Sequence, residues 1–180
     1  NNRLQPTQIG LGTSAASQSL LKLNYEYGEL NQGTGQVTAG TNNGNIAKQT
    51  ITVGNTATAT GFSATQYYAY DSLNRIKIAS ENFTPNGGTL YNSWKQIFQY
   101  DRYGNRKFDT TNGNTTTLEP NCQTAICNPE ISTTNNRLIG TTYDNGGNTT
   151  TDASGRTFTY DGENKQTKVQ NGATVIGEYF

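Results

Sequence analysis

The chain has 180 residues, with thirteen Lys and Arg against thirteen Asp and Glu, no His, no Met and a single Trp. Zero net charge leaves no basic field to hold nucleic acid. The missing histidine excludes Ser-His-Asp and Cys-His nucleophiles, and any His-ligated metal, within this chain. Leu, Ile, Val and Phe supply only 30 residues, but eleven Tyr and the absence of net charge argue against disorder. An ordered single sheet layer with a thin core fits these numbers better than a compact globule.

The sequence starts Asn-Asn-Arg-Leu without Met and stops at Glu178-Tyr179-Phe180, just after a strand-like run. That reads as a fragment of a larger chain, with any signal peptide or anchor outside it. No apolar run approaches the roughly 20 residues that span a bilayer, so membrane insertion is not expected. Residues 1–66 form a degenerate region. Ser14 to Leu23 has some helical character, but Leu21-Lys22-Leu23-Asn24-Tyr25 alternates and reads as strand or loop. Asn43-Gly44 before Ile46 signals a hairpin.

From residue 67 to 180 a motif recurs. YDSLNR (Tyr70 to Arg75) is followed by YDRYGNR (Tyr100 to Arg106), YDNGGN (Tyr143 to Asn148) and YDGENK (Tyr160 to Lys165). A fifth copy, TDASGR, has Thr151 in place of Tyr. Four positions after the Tyr or Thr stand Asn74, Gly104, Gly147, Asn164 and Gly155, all of the two residue types that most readily take positive φ. Asp at the first corner of a type I turn, with a left-handed Gly or Asn three residues on, specifies a hairpin with a three-residue loop and a bulge. The Asp then faces the next residue: Asp71 with Arg75, Asp101 with Asn105, Asp144 with Asn148, Asp152 with Arg156 and Asp161 with Lys165. Each pair at an exposed hairpin end contributes roughly 0.2–1 kcal/mol, enough to fix register. With that role filled, these carboxylates are poor candidates for catalysis, and the chain reads as a non-enzyme.

Upstream of each turn the aromatics have period two, as in Tyr68-x-Tyr70, Phe98-x-Tyr100 and Phe158-x-Tyr160, which suits the half-buried face of a pleated sheet. Trp94 alternates with Gln96 and Phe98 and falls on the same face. Ile76, Ile78, Phe108 and Val169 mark outgoing strands, and Asn86-Gly87, Asn112-Gly113 and Asn171-Gly172 mark further turns. The longest insertion, residues 109–132, reads as a loop projecting from the sheet. It holds Cys122 and Cys127, whose spacing is not that of a redox or zinc CxxC; a local disulfide closing a small loop is the expected state, with two free thiols as the alternative. Asp144, Asn148 and Asp152 do not follow EF-hand spacing, and the Asn-x-Thr sequons at Asn82, Asn114 and Asn148 are what a chain rich in Asn and Thr gives by chance. No cofactor is called for.

Taken together, YDSLNR, YDRYGNR, YDNGGN and YDGENK resemble the YD repeat of bacterial Rhs and wall-associated proteins, the B and C components of toxin complexes, and teneurins. Tyr25-Glu26-Tyr27-Gly28 and Gly44-Asn45 look like a decayed unit. The resemblance implies an all-β array of antiparallel hairpins forming a continuous twisted strip, part of a spiralling shell that often encloses a toxin polypeptide. It implies a structural role in a secreted or surface bacterial protein, with the rest of its own chain, and an enclosed polypeptide, as partners. Two other expectations stand beside it. Exposed Tyr with Asn and Gln could serve a glycan-binding adhesive module, and unpaired sheet edges could join copies into an extracellular assembly.

Overall fold

A computed structural model describes residues 3–14, 17–85, 91–119, 121 and 123–180. Strands take up 47% of the chain and helix 4%, so the protein is all-β with antiparallel sheets. It divides into two compact units, Asn1–Asp101 with Phe108–Thr117, and Arg102–Lys107 with Leu118–Phe180.

The first unit opens with β1 (Gln8–Leu11) and β2 (Leu21–Tyr27), followed by the short pair β3 (Leu30–Asn31) and β4 (Gln36–Val37). Then come β5 (Ile46–Val53), β6 (Phe62–Tyr70), β7 (Ile76–Pro85) and β8 (Tyr91–Tyr100). The sheet order β1-β2-β5-β6-β7-β8-β9 is a meander, with β3 and β4 set aside as a two-stranded sheet of their own. Of β9 (Arg106–Phe108) this unit holds Phe108. The boundary drawn in the sequence between residues 66 and 67 falls inside β6.

Alternation along these strands separates two faces. The rows Leu11–Leu21–Val53–Phe62 and Ile9–Leu23–Ile51–Ala64 stack apolar residues across neighbouring strands. The intervening rows are polar: Asn24–Thr50–Thr65–Asn82, and Glu26–Lys48–Tyr67–Ser80–Lys95. Tyr68 and Trp94 belong to the apolar face, as does Phe98, whose ring lies 5.2 Å from that of Phe108. The core is thin: its buried members are Ala47, Ala64, Ala69, Ala79 and Phe98, and among the described residues no large side chain is fully buried. Half-burial of a Leu or Ile realises only part of the roughly 1.5–3 kcal/mol of full burial. The backbone ladder and the corners described below therefore carry a large share of the order.

The second unit is a shorter meander of β10 (Thr142–Tyr143), β11 (Thr149–Thr151), β12 (Arg156–Tyr160), β13 (Gln166–Asn171) and β14 (Thr174–Glu178), paired in that order. Val169 is its buried apolar residue, opposite Phe158 on one side and Gly177 on the other.

The insertion at 109–132 does not project as a whole. Thr116 donates its amide to the Lys95 carbonyl at 2.9 Å, and Lys95 returns its own amide to the Thr116 hydroxyl at 2.9 Å. The Asp109 amide reaches the Ile97 carbonyl at 2.8 Å. The reason is geometric: β9 has three residues, so the outer backbone groups of the ten-residue β8 need other partners. Further on, the insertion makes a 3₁₀ turn at Thr111–Gly113 and a one-turn helix, α1 (Thr124–Cys127).

Candidate functional site: the repeated corner

At four of the Tyr-Asp and Thr-Asp copies the same bonds close the turn. The amides of Asp71, Asp144, Asp152 and Asp161 donate to the carbonyls of Arg75, Asn148, Arg156 and Lys165 at 2.9–3.0 Å. The residue before each of those partners has positive φ: Asn74 60°, Gly147 90°, Gly155 78° and Asn164 61°. The division between units falls inside the remaining copy, after Asp101, where Gly104 has φ 89°. Each Asp carboxylate then caps its own corner. Oδ1 of Asp71 accepts from the amides of Leu73 and Arg75, and Oδ1 of Asp152 from those of Ser154 and Arg156.

The outer carboxylate oxygens differ. Asp71 and Asp152 hold the Arg75 and Arg156 guanidinium groups at 2.7 Å, and Asp144 accepts from the Asn148 carboxamide at 2.9 Å. Lys165 departs from the pairing expected in the sequence: it gives Asp161 only its amide, and its ammonium lies 2.5 Å from Glu163. A flexible stem carrying a compact charge can take the nearer acid, where the planar guanidinium fork of Arg75 holds the carboxylate in fixed geometry.

Hydrogen bonds to the charged form hold three of these carboxyls below their usual range. For Asp71 the main cause is the Arg75 amide, and for Asp144 the Asn148 side chain. For Asp152 burial pushes the other way, and the bonds from Arg156 outweigh it.

The tyrosine of the motif works outward. The Tyr70 hydroxyl donates to the Ile46 carbonyl at 2.8 Å, and the Tyr100 hydroxyl to the Ile76 carbonyl at 2.7 Å. Ile46 and Ile76 lie two residues past the left-handed Gly44 and Asn74. Tyr27 bonds the Pro6 carbonyl, again two residues past a left-handed residue, Leu4. Burial raises the affinity of the Tyr70 hydroxyl for its proton, so it remains a donor. A corner is thus capped by its own Asp and clamped by the Tyr of the next one.

Two further corners lack the Tyr-Asp motif, one at the decayed unit and one that the sequence hides. Gly28 donates its amide to the Asn45 carbonyl at 3.0 Å, as Asp71 does to Arg75, with left-handed Gly44 in place. Tyr27-Gly28 and Gly44-Asn45 therefore form one corner, stretched open by the β3–β4 excursion. In the second unit Ser132 donates to the Arg137 carbonyl at 2.8 Å, with Asn136 at φ 57°. The guanidinium of Arg137 lies over the Tyr143 ring at 4.7 Å, as that of Arg75 lies over Tyr100 at 4.2 Å. Asn136-Arg137-Leu138 repeats the pattern of Asn74-Arg75-Ile76, a signal that could have revealed it.

Carboxamides link neighbouring corners by a rule that sequence reasoning missed. The Asn that follows a left-handed Gly donates to the left-handed Asn of another corner: Asn45 to Asn74 at 2.9 Å, Asn148 to Asn164 at 2.8 Å, and Asn105 to Asn136. The left-handed Asn acceptors are each followed by a cation, Arg75, Lys165 or Arg137.

Cys127 ends helix α1. Cys122 lies outside the described residues, as does the Asn86-Gly87 turn signal. Among the described residues no group of three or more acidic or sulfur ligands could hold a metal ion, and no helix is long and apolar enough to cross a membrane. No protein-family model, curated protein or solved structure matches the chain.

Proposed function

We propose that this chain is a structural segment, a β wall built of YD-repeat hairpins of the Rhs type within a larger secreted or surface protein, which encloses or presents a polypeptide. The observation that carries the reading is the clamp from Tyr70 to Ile46 and from Tyr100 to Ile76, which ties each hairpin to the one before it. Such ties suit a wall that propagates by nearest neighbours and does not depend on a deep core. The carboxylates of Asp71, Asp144, Asp152 and Asp161 each accept amides of their own turns, which supports a structural role for the motif over a catalytic one.

Imaging the longer chain that carries this segment by electron microscopy tests the proposal. A hollow β-walled particle with a protease-resistant polypeptide inside is the expected result. A solid domain, or an interior open to protease, would sink it. The Cys122–Cys127 disulfide belongs to the same proposal: alkylation with and without prior reduction should differ by two cysteines in mass.

A further inference from the structure

The wall reading leaves one construction unused. The β3–β4 excursion, inserted into the Tyr27–Asn45 corner, stands over the polar face of the sheet. Between it and the sheet lies a cleft of about 410 Å³, with Leu30, Gln32 and Gly35 on one side and Tyr67, Asn82 and Lys95 on the other. A second cleft of about 510 Å³ shares Ser80, Asn82 and Lys95 with the first and reaches Trp94 and Thr116. Both ends are therefore finished by insertions, β3–β4 and the Asp109–Thr117 segment, that the hairpin repeat itself does not need.

Some amides and cations of this chain are used internally, as in the Asn45–Asn74 bond and the Lys48–Glu26 ion pair at 2.9 Å, while others, such as Lys22, Lys77 and Lys168, form no ion pair among the described residues. In the same cross-strand row as Lys48, the ammonium of Lys95 forms no ion pair among the described residues. Nor do the side chains of Gln32, Ser80 and Asn82, or the hydroxyl of Tyr67, form a hydrogen bond there. Polar groups are thus gathered without partners over an aromatic and aliphatic floor that includes Ile78 and Ile97.

We infer that this groove binds an acidic oligosaccharide, a chain of uronic-acid type. Carboxamides such as Asn82 and Gln32 carry a donor and an acceptor side by side and match vicinal hydroxyls. The Tyr67 ring offers an apolar surface with a polar tip to a sugar ring. Lys95, which both clefts share, supplies the charge-assisted bond to a carboxylate. The one acid on the lining, Glu81, is turned to the Gln66 carboxamide, which donates to it at 2.8 Å.

The test is calorimetric titration of the full chain with tetragalacturonate, with neutral maltotetraose and with a short polyglutamate, at physiological salt. Tetragalacturonate should bind best, with Lys95→Gln weakening it about tenfold, the effect of one such bond. Asn82→Ala should weaken it too, with both variants keeping the thermal midpoint of the parent. No binding of either sugar, equal binding of maltotetraose, equal binding of polyglutamate, or affinity unchanged in both variants would each overturn the assignment.

Discussion

The hydroxyl of Tyr100 donates to the carbonyl of Ile76 across 2.7 Å, so the aromatic of one Tyr-Asp copy fastens the outgoing strand of the copy before it. Tyr100→Phe and Tyr70→Phe should each destabilise the first unit by about 1 kcal/mol, the usual net value of one hydrogen bond. Tyr160→Phe should change little, because the Tyr160 hydroxyl forms no hydrogen bond among the described residues. Urea unfolding followed by tyrosine fluorescence measures all three. Equal effects at the three sites would mean that the hydroxyl matters only for its solvation.

The left-handed positions separate backbone strain from packing. Gly155 has φ 78°, and a β-carbon built there meets nothing within 4 Å. Gly155→Ala therefore tests conformation alone and should lower stability by about 1–2 kcal/mol. Gly155→Asn should recover much of that loss, since Asn tolerates this region, as Asn74 and Asn164 do at 60° and 61°. A neutral Ala variant would show that the corner relaxes to another turn.

Acid should loosen the corners. The carboxyls of Asp71, Asp144 and Asp152 lie below their usual range in the folded chain and return to about 3.9 when unfolded. The unfolded chain then binds more protons, so the stability these groups contribute is present above about pH 4 and is lost as pH falls through the folded values. Thermal midpoints should drop steeply below pH 4. A triple Asp→Asn variant at these sites keeps an acceptor oxygen but has no proton to gain, and its midpoints should be flatter there. Identical slopes would refute the linkage.

What could be read from residue types was what a single corner demands. Asn74, Gly147 and Gly155 announce positive φ because few other residues tolerate it, and alternation separates Tyr68 from Tyr67 without any knowledge of neighbours. Relations between corners were not legible, because they depend on which turns lie side by side. The Asn45–Asn74 bond joins residues 29 apart, and although Asn45 follows Gly44 as Asn148 follows Gly147, nothing local names the partner. The Ser132–Arg137 corner escaped because Ser replaces Asp and the loop is one residue longer. The path of Asp109 to Thr117 along β8 follows from the shortness of β9, which composition does not reveal.

The outer side of β14 sets a final expectation. Among the described residues β14 pairs with β13 on one side only, and Glu178 is its one charged residue. Val175 and Ile176 are 47% and 54% exposed. An edge with two exposed apolar residues and a single charge, at its last residue Glu178, is a template for another copy. Light scattering should show mass rising with concentration, and Ile176→Lys should return the chain to monomer, since a charge on the edge opposes pairing. Tyr103→Lys, an exposed change far along the chain from β14, serves as the control for added charge. A monomer at every concentration tested would refute edge pairing, and so would an Ile176→Lys chain that associates as readily as its parent.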